Sequence, residues 1–136
     1  MPSFDILRHI SEKIAPFINA MMQSGEYDEF APGMVLDVYQ LLPEDFMRHI
    51  DPDACEIHYF LTADVTAQER FRILKAHDTE KDYTFYKPDG ELREGCVWNV
   101  EQSRFMREQC VQFGLPYYET SKDRKQVFER FLQSLS

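Results

Sequence analysis

The stretch Gly33-Met34-Val35-Leu36-Asp37-Val38-Tyr39-Gln40-Leu41-Leu42-Pro43-Glu44-Asp45-Phe46 decides how the rest of the chain is read. Residues 34–38 are a short apolar run carrying one carboxylate, Asp37, entered through Pro32-Gly33 and followed by Pro43, which is suited to opening a helix. A run of that length bounded by turn residues reads as a buried parallel strand, since a strand covered on both faces has no reason to alternate polar and apolar side chains. Such a strand needs neighbours, and residues 56–62 and 116–120 carry the apolar and aromatic side chains to supply them. Both are followed by helix signals. Thr66-Ala67-Gln68-Glu69 is a capping box, and Ser121 stands ahead of an apolar face made by Val127, Phe128, Phe131 and Leu135.

Upstream, Ile6, Ile10, Ile14, Phe17, Ile18 and Met21 recur at three- and four-residue steps, which predicts an amphipathic helical segment. Pro16 interrupts it and predicts either a kink or a second helix opening there. Gly25 ends the segment, and residues 26–32 read as an acidic aromatic loop. Downstream, Leu42-Pro43-Glu44-Asp45 opens a short helix with carboxylates at the positive end of its dipole, and Asp51-Pro52-Asp53 stops it. Residues 78–95 are polar and turn-rich, with Lys87-Pro88-Asp89-Gly90 as the strongest signal, and read as a lid-like insertion in a single domain, 1–136. Asn99-Val100-Glu101-Gln102 then starts a helix that ends at Gly114. The alternation predicts an α/β fold, a parallel sheet layered with helices. Ligands of such sheets sit at the carboxyl ends of the strands. Here those ends carry Asp37, the turn at 62–64, and Thr120-Ser121.

The chain of 136 residues has the size of one domain, and its 43% of apolar residues suffices for one core. Fifteen Lys and Arg against twenty-four Asp and Glu leave a net charge of −9, a field that disfavours nucleic acid and anionic membrane as partners. No apolar run approaches the roughly 20 residues of a spanning helix. Met1-Pro2-Ser3-Phe4-Asp5 lacks the pattern of a secretory leader, so a cytoplasmic protein is expected. Cys55, Cys96 and Cys110 form no paired motif and read as reduced thiols.

The order of these segments resembles the small P-loop kinases of nucleotides and small metabolites. Met34-Val35-Leu36-Asp37 followed by Leu41-Leu42-Pro43-Glu44 is similar to their third strand and the loop after it. Tyr59-Phe60-Leu61-Thr62 and then Glu69-Arg70-Phe71-Arg72 is similar to the fourth strand and the arginine-bearing helix leading to the lid. Trp98, Glu101-Gln102-Ser103, Gln109-Cys110 and Phe113-Gly114-Leu115-Pro116-Tyr117-Tyr118-Glu119-Thr120-Ser121 resembles the lid-return helix and the last strand. The likeness is to the C-terminal two-thirds of that family. Its phosphate-binding loop, Gly-x-x-x-x-Gly-Lys followed by Ser or Thr, is completed by none of Gly25, Gly33, Gly90, Gly95 and Gly114, which implies a chain beginning after the first strand. Asp37 and Val38 also stand where the family often has Glu and Gly.

The resemblance implies ATP and Mg as cofactors, a small-molecule or nucleotide substrate, and phosphoryl transfer. Asp37, Arg70 and Arg72 would be catalytic, and Arg93, Arg104, Thr120, Ser121 and Asp123 would bind the nucleotide. Without the phosphate loop the chain is expected to be inactive as it stands. The alternative is a non-catalytic protein-interaction module on a degenerate kinase scaffold. A sheet lacking a central strand would leave an uncovered groove, so self-association to a homo-oligomer is expected.

Each candidate has a competing reading. An arginine on a helix is ordinarily a solvated surface charge, and Asp37 is equally a turn acid. His49, Asp51, Asp53, Cys55 and His58 are dense in metal-ligating types, but their spacing fits no structural zinc pattern and no metal is expected. Tyr83, Phe85, Tyr86 and Trp98 either stack a substrate ring or pack the base of the lid.

Overall fold

In the computed structural model the described residues are 4–24 and 34–135. Among them the order is α1 (Phe4–Gln23), α2 (Pro43–His49), β1 (Tyr59–Leu61), α3 (Ala67–His77), α4 (Asp89–Phe113), β2 (Tyr117–Glu119) and α5 (Arg124–Ser134). About 60% of this is helix, and each strand has three residues, so the molecule is mostly helical and the expected layered α/β sheet is not formed. The chain divides into two compact units, one of His58–Glu108 with Pro116–Ser136, the other of Pro2–Ile57 with Gln109–Leu115.

The first unit holds both strands. β1 and β2 pair directly and in parallel, in the register Tyr59 with Tyr117, Phe60 with Tyr118 and Leu61 with Glu119. The ladder is extended by the Tyr59 N–H donating to Pro116 O at 3.2 Å and the Thr120 N–H donating to Leu61 O at 2.8 Å. Alternation along β1 turns Tyr59 and Leu61 inward, both buried, and leaves Phe60 on the outer face, 39% exposed. There the rings of Phe60 and Tyr118 stack at 5.2 Å, and Phe128 and Phe131 of α5 pack over them. On α3 and α4, Phe71, Leu92 and Cys96 make a core cluster with Ala67 and Leu74 against it. α3 opens on the complete capping box: the Glu69 N–H donates to Thr66 Oγ1 at 3.1 Å, and the Thr66 N–H to Glu69 Oε2 at 3.3 Å.

The second unit is built on α1 and α2. α1 is continuous through Pro16, which is exposed, so the carbonyl bond that proline forfeits falls on the solvent side. Its buried stripe is Leu7, Ser11, Ala15 and Ile18, while Ile6 and Phe17 of the expected face stand 53% and 67% exposed. Small residues bring the neighbouring backbone close enough for the Leu42 N–H to donate to Ser11 Oγ at 2.8 Å, fully buried. α2 starts at Pro43 with Glu44 and Asp45 in its first turn. Ala15, Ile18, Leu41, Phe46 and Ile50 form the core of this unit. α4 ends at Gly114, whose φ of 69° lets the Leu115 N–H turn back to Cys110 O at 2.9 Å, the Schellman arrangement.

The expected strand at 34–38 is absent. That segment has no regular secondary structure and no ladder, and Met34, Val35 and Leu36 are 39%, 97% and 42% exposed. An apolar run has the same sequence whether or not a sheet covers it. The groove expected beside a missing central strand, between 34–38 and 56–62, has no counterpart among the described residues, because 34–38 forms no strand to border it and the sheet is β1 and β2 alone. The helix expected from Asn99 begins at Asp89 and absorbs the second half of the lid-like segment, because Leu92 and Cys96 find Phe71 to pack against. The expected loop at 26–32 lies outside the described residues.

Candidate functional site

The turn that follows β1 is held from two sides by charged groups. Glu119, the last residue of β2, reaches across to it: Oε2 accepts from the N–H of Ala63 at 2.9 Å and of Asp64 at 3.3 Å, and Oε1 accepts from the Ser121 N–H at 3.1 Å. From α4, Arg104 donates through Nε to Ala63 O at 3.1 Å and through Nη2 to Val65 O at 3.3 Å. One turn further along the same helix Arg107 pairs with Asp64, whose carboxylate raises the guanidinium pKa still further. The Thr62 N–H donates to Ser103 Oγ at 3.1 Å and its hydroxyl to Asn99 Oδ1 at 2.9 Å. The Thr120 hydroxyl donates to Leu61 O at 3.1 Å. The carboxyl ends of the strands, where a parallel sheet ordinarily receives its ligand, are thus bonded by the fold to itself.

Beside this turn lies a depression of about 240 Å³ lined by Val65, Glu69, Arg72, Ile73, Ser121 and Lys122. Ser121 Oγ is buried and has no hydrogen-bond partner among the described residues. Glu69 is committed to its capping box.

The structure distributes the expected site residues as follows. Arg72 and Ser121, the first expected to be catalytic and the second nucleotide-binding, meet in this depression. Arg104 and Thr120 serve the backbone of β1 and its turn. Arg93 lies over the Phe71 ring, its guanidinium carbon 3.9 Å from the centroid, as a cation–π lid on the α3–α4 core. Arg70 is half-buried close enough to Cys96 to pull that thiol's pKa down, against burial, which pushes it up, and Asp78, which adds to the rise. Asp123 is exposed, with a left-handed φ of 52°, and makes no side-chain cap on α5. Asp37 is exposed and belongs to the other unit.

Lys122 and Glu119 were not among the expected site residues. Lys122 carried no motif. A Glu at the end of a short strand, followed by Thr-Ser, was the only signal for Glu119. Of the metal-ligating run, Asp51 Oδ1 accepts from the Asp53 N–H at 3.0 Å and His58 Nδ1 meets the Tyr118 hydroxyl at 3.1 Å. Among the described residues no group of three or more His, Cys, Asp and Glu is placed to hold a metal, and no helix is long and apolar enough to cross a membrane. No protein-family model, no curated protein and no solved structure matches the chain. The likeness to small P-loop kinases therefore stands on sequence resemblance alone.

Proposed function

We propose that this chain is a non-catalytic interaction module that associates with a second copy of itself through the apolar stripe of α5. The observation that carries the reading is the mismatch between α5 and the strands beneath it. An eleven-residue helix is about 16 Å long, whereas a three-residue strand spans about 10 Å. Phe128 and Phe131 cover Phe60 and Tyr118, but Leu132 and Leu135, on the same helix face, remain 62% and 52% exposed. The ends of the strands support the non-catalytic half of the reading, because Arg104, Glu119 and Thr120 are spent on backbone groups.

Charge favours a copy of the chain as the occupant. Lys122, Arg124 and Lys125 gather at the start of α5 in a chain whose net charge is −9, so charge favours a heterologous contact, in which α5 of one molecule meets an acidic surface elsewhere on the second and not its basic α5. One helix face buries less than the roughly 1,200 Å² of a standard interface, which places the association in the weak, concentration-dependent class. Sedimentation equilibrium tests it. Wild-type protein should associate as concentration rises, and Leu132→Glu with Leu135→Glu, both at exposed positions, should remain monomeric with unchanged circular dichroism. A wild-type monomer throughout the range overturns the proposal, as does acceptor-dependent ATP turnover that is lost in Arg72→Ala.

A further inference from the structure

We infer that the depression lined by Val65, Glu69, Arg72, Ile73, Ser121 and Lys122 is a subsite for one phosphate group, free or as a small monoester. Size comes first. At about 240 Å³ it falls below the ~300–1,000 Å³ of pockets that enclose whole drug-sized ligands, so its walls suit one compact group. The second point is an unmet bond. Ser121 spends its N–H on Glu119 Oε1, while its hydroxyl is buried without a partner. A buried hydroxyl left unpaired is costly, and rotation about the Cα–Cβ bond would turn it to donate to an acceptor oxygen in the depression that Ser121 lines.

The third point is charge. Arg72 and Lys122 line the same space, and neither is in an ion pair among the described residues. A guanidinium fork and an ammonium are the two side-chain groups best matched to phosphate oxygens. Val65 and Ile73 supply the apolar part of the lining. Glu69 opposes it. Its carboxylate accepts from the Thr66 N–H within the capping box, which holds it in the wall, where it limits affinity for a second anion.

That opposition supplies a test with two signs. Titration of the full chain with inorganic phosphate, followed by backbone amide shifts in chloride buffer of matched ionic strength, should move Ser121, Lys122 and Arg72 saturably. Arg72→Ala and Lys122→Ala should each weaken binding about tenfold, the loss of one charge-assisted contact. Ser121→Ala should weaken it without changing net charge. Glu69→Gln keeps the capping box, since Gln serves at that position, and should tighten binding. Phosphoserine amide in a parallel titration separates the sources: tighter binding than inorganic phosphate assigns a monoester, and equal or weaker binding assigns the free ion. The inference is overturned if phosphate moves these amides no more than chloride does, or if Glu69→Gln fails to tighten binding. Because association through α5 is read by sedimentation, either proposal can fail while the other stands.

Discussion

Glu119 Oε2 lies 2.9 Å from the backbone nitrogen of Ala63, so a carboxylate from the end of β2 acts as the acceptor for the turn that leaves β1. Two further N–H groups, of Asp64 and Ser121, converge on the same side chain. Substituting Glu119 by Ala strands these donors, and Glu119→Ala should cost on the order of 3 kcal/mol, the low end of what several charge-assisted bonds contribute together. Glu119→Gln keeps one oxygen acceptor and should lose less. Urea unfolding of the two variants checks the order, and equal losses would show that the charge, not the acceptor geometry, is what matters.

Asp45 makes the opposite case. It is 1% exposed, yet neither carboxylate oxygen has a hydrogen-bond partner among the described residues, and its ion pair with the exposed Arg48 is 3.7 Å long. Removing a buried charge that lacks good partners recovers desolvation cost. Asp45→Ala should therefore change stability by less than about 1 kcal/mol, far less than Glu119→Ala. A loss as large as that of Glu119→Ala by the same unfolding assay would contradict this.

Burial pushes the Cys110 thiol from its ordinary value of 9.0 up to about 11, and Cys96 and Cys55 are raised in the same direction. Between those two values the folded state holds a proton that the unfolded chain has released. Stability is unaffected below pH 9 and should fall as pH rises through the interval up to about 11. Unfolding midpoints measured across that range should decline less steeply in Cys110→Ala. Native Cys110 should also resist alkylation at neutral pH and react once unfolded.

Hydrogen exchange should divide the lid-like segment at Pro88. Before it, single turn bonds such as the Asp82 N–H to Thr79 O and the Lys87 N–H to Thr84 O hold the backbone, with Tyr83 82% and Tyr86 71% exposed. After it, the Leu92 N–H donates to Pro88 O at 2.9 Å and Leu92 is buried. Amides 80–87 should exchange within the fast phase and those from Leu92 onward should be protected. Uniform fast exchange through Cys96 would mean that the first turns of α4 do not form in solution.

Thr66→Ala removes one half of the capping box on α3 and should cost about 1 kcal/mol, as side-chain caps typically do. Thermal unfolding reads this directly, and no loss would mean that Glu69 alone sustains the helix start.

What the sequence determined by itself is the local backbone chemistry. Pro43 opening α2, the Thr66 and Glu69 cap on α3, and Gly114 ending α4 each depend on residues within a turn of one another, so each was legible from the residues alone. That the segments at 56–62 and 116–120 contain parallel strands was legible too, from their alternation with helices, but their direct pairing was not. Tertiary structure decided the rest, through contacts distant in sequence. Pro88-Asp89-Gly90 serves a turn or a helix start equally well, and only packing of Leu92 and Cys96 on Phe71 made it the opening of α4. Leu7, Ser11 and Ala15 were buried beside Ile18 while Ile6 and Phe17 of the expected face stayed exposed, and Ser11 accepts there from the Leu42 N–H, a partner distant in sequence. Residues 34–38 form no strand, and Met34, Val35 and Leu36 stay exposed, since an apolar run becomes a strand only where the fold brings it a partner. Arg104 became a clamp on Ala63 and Val65, and Arg72 a wall of the depression with Ser121, since an arginine's role is set by the acceptor that the fold brings to it.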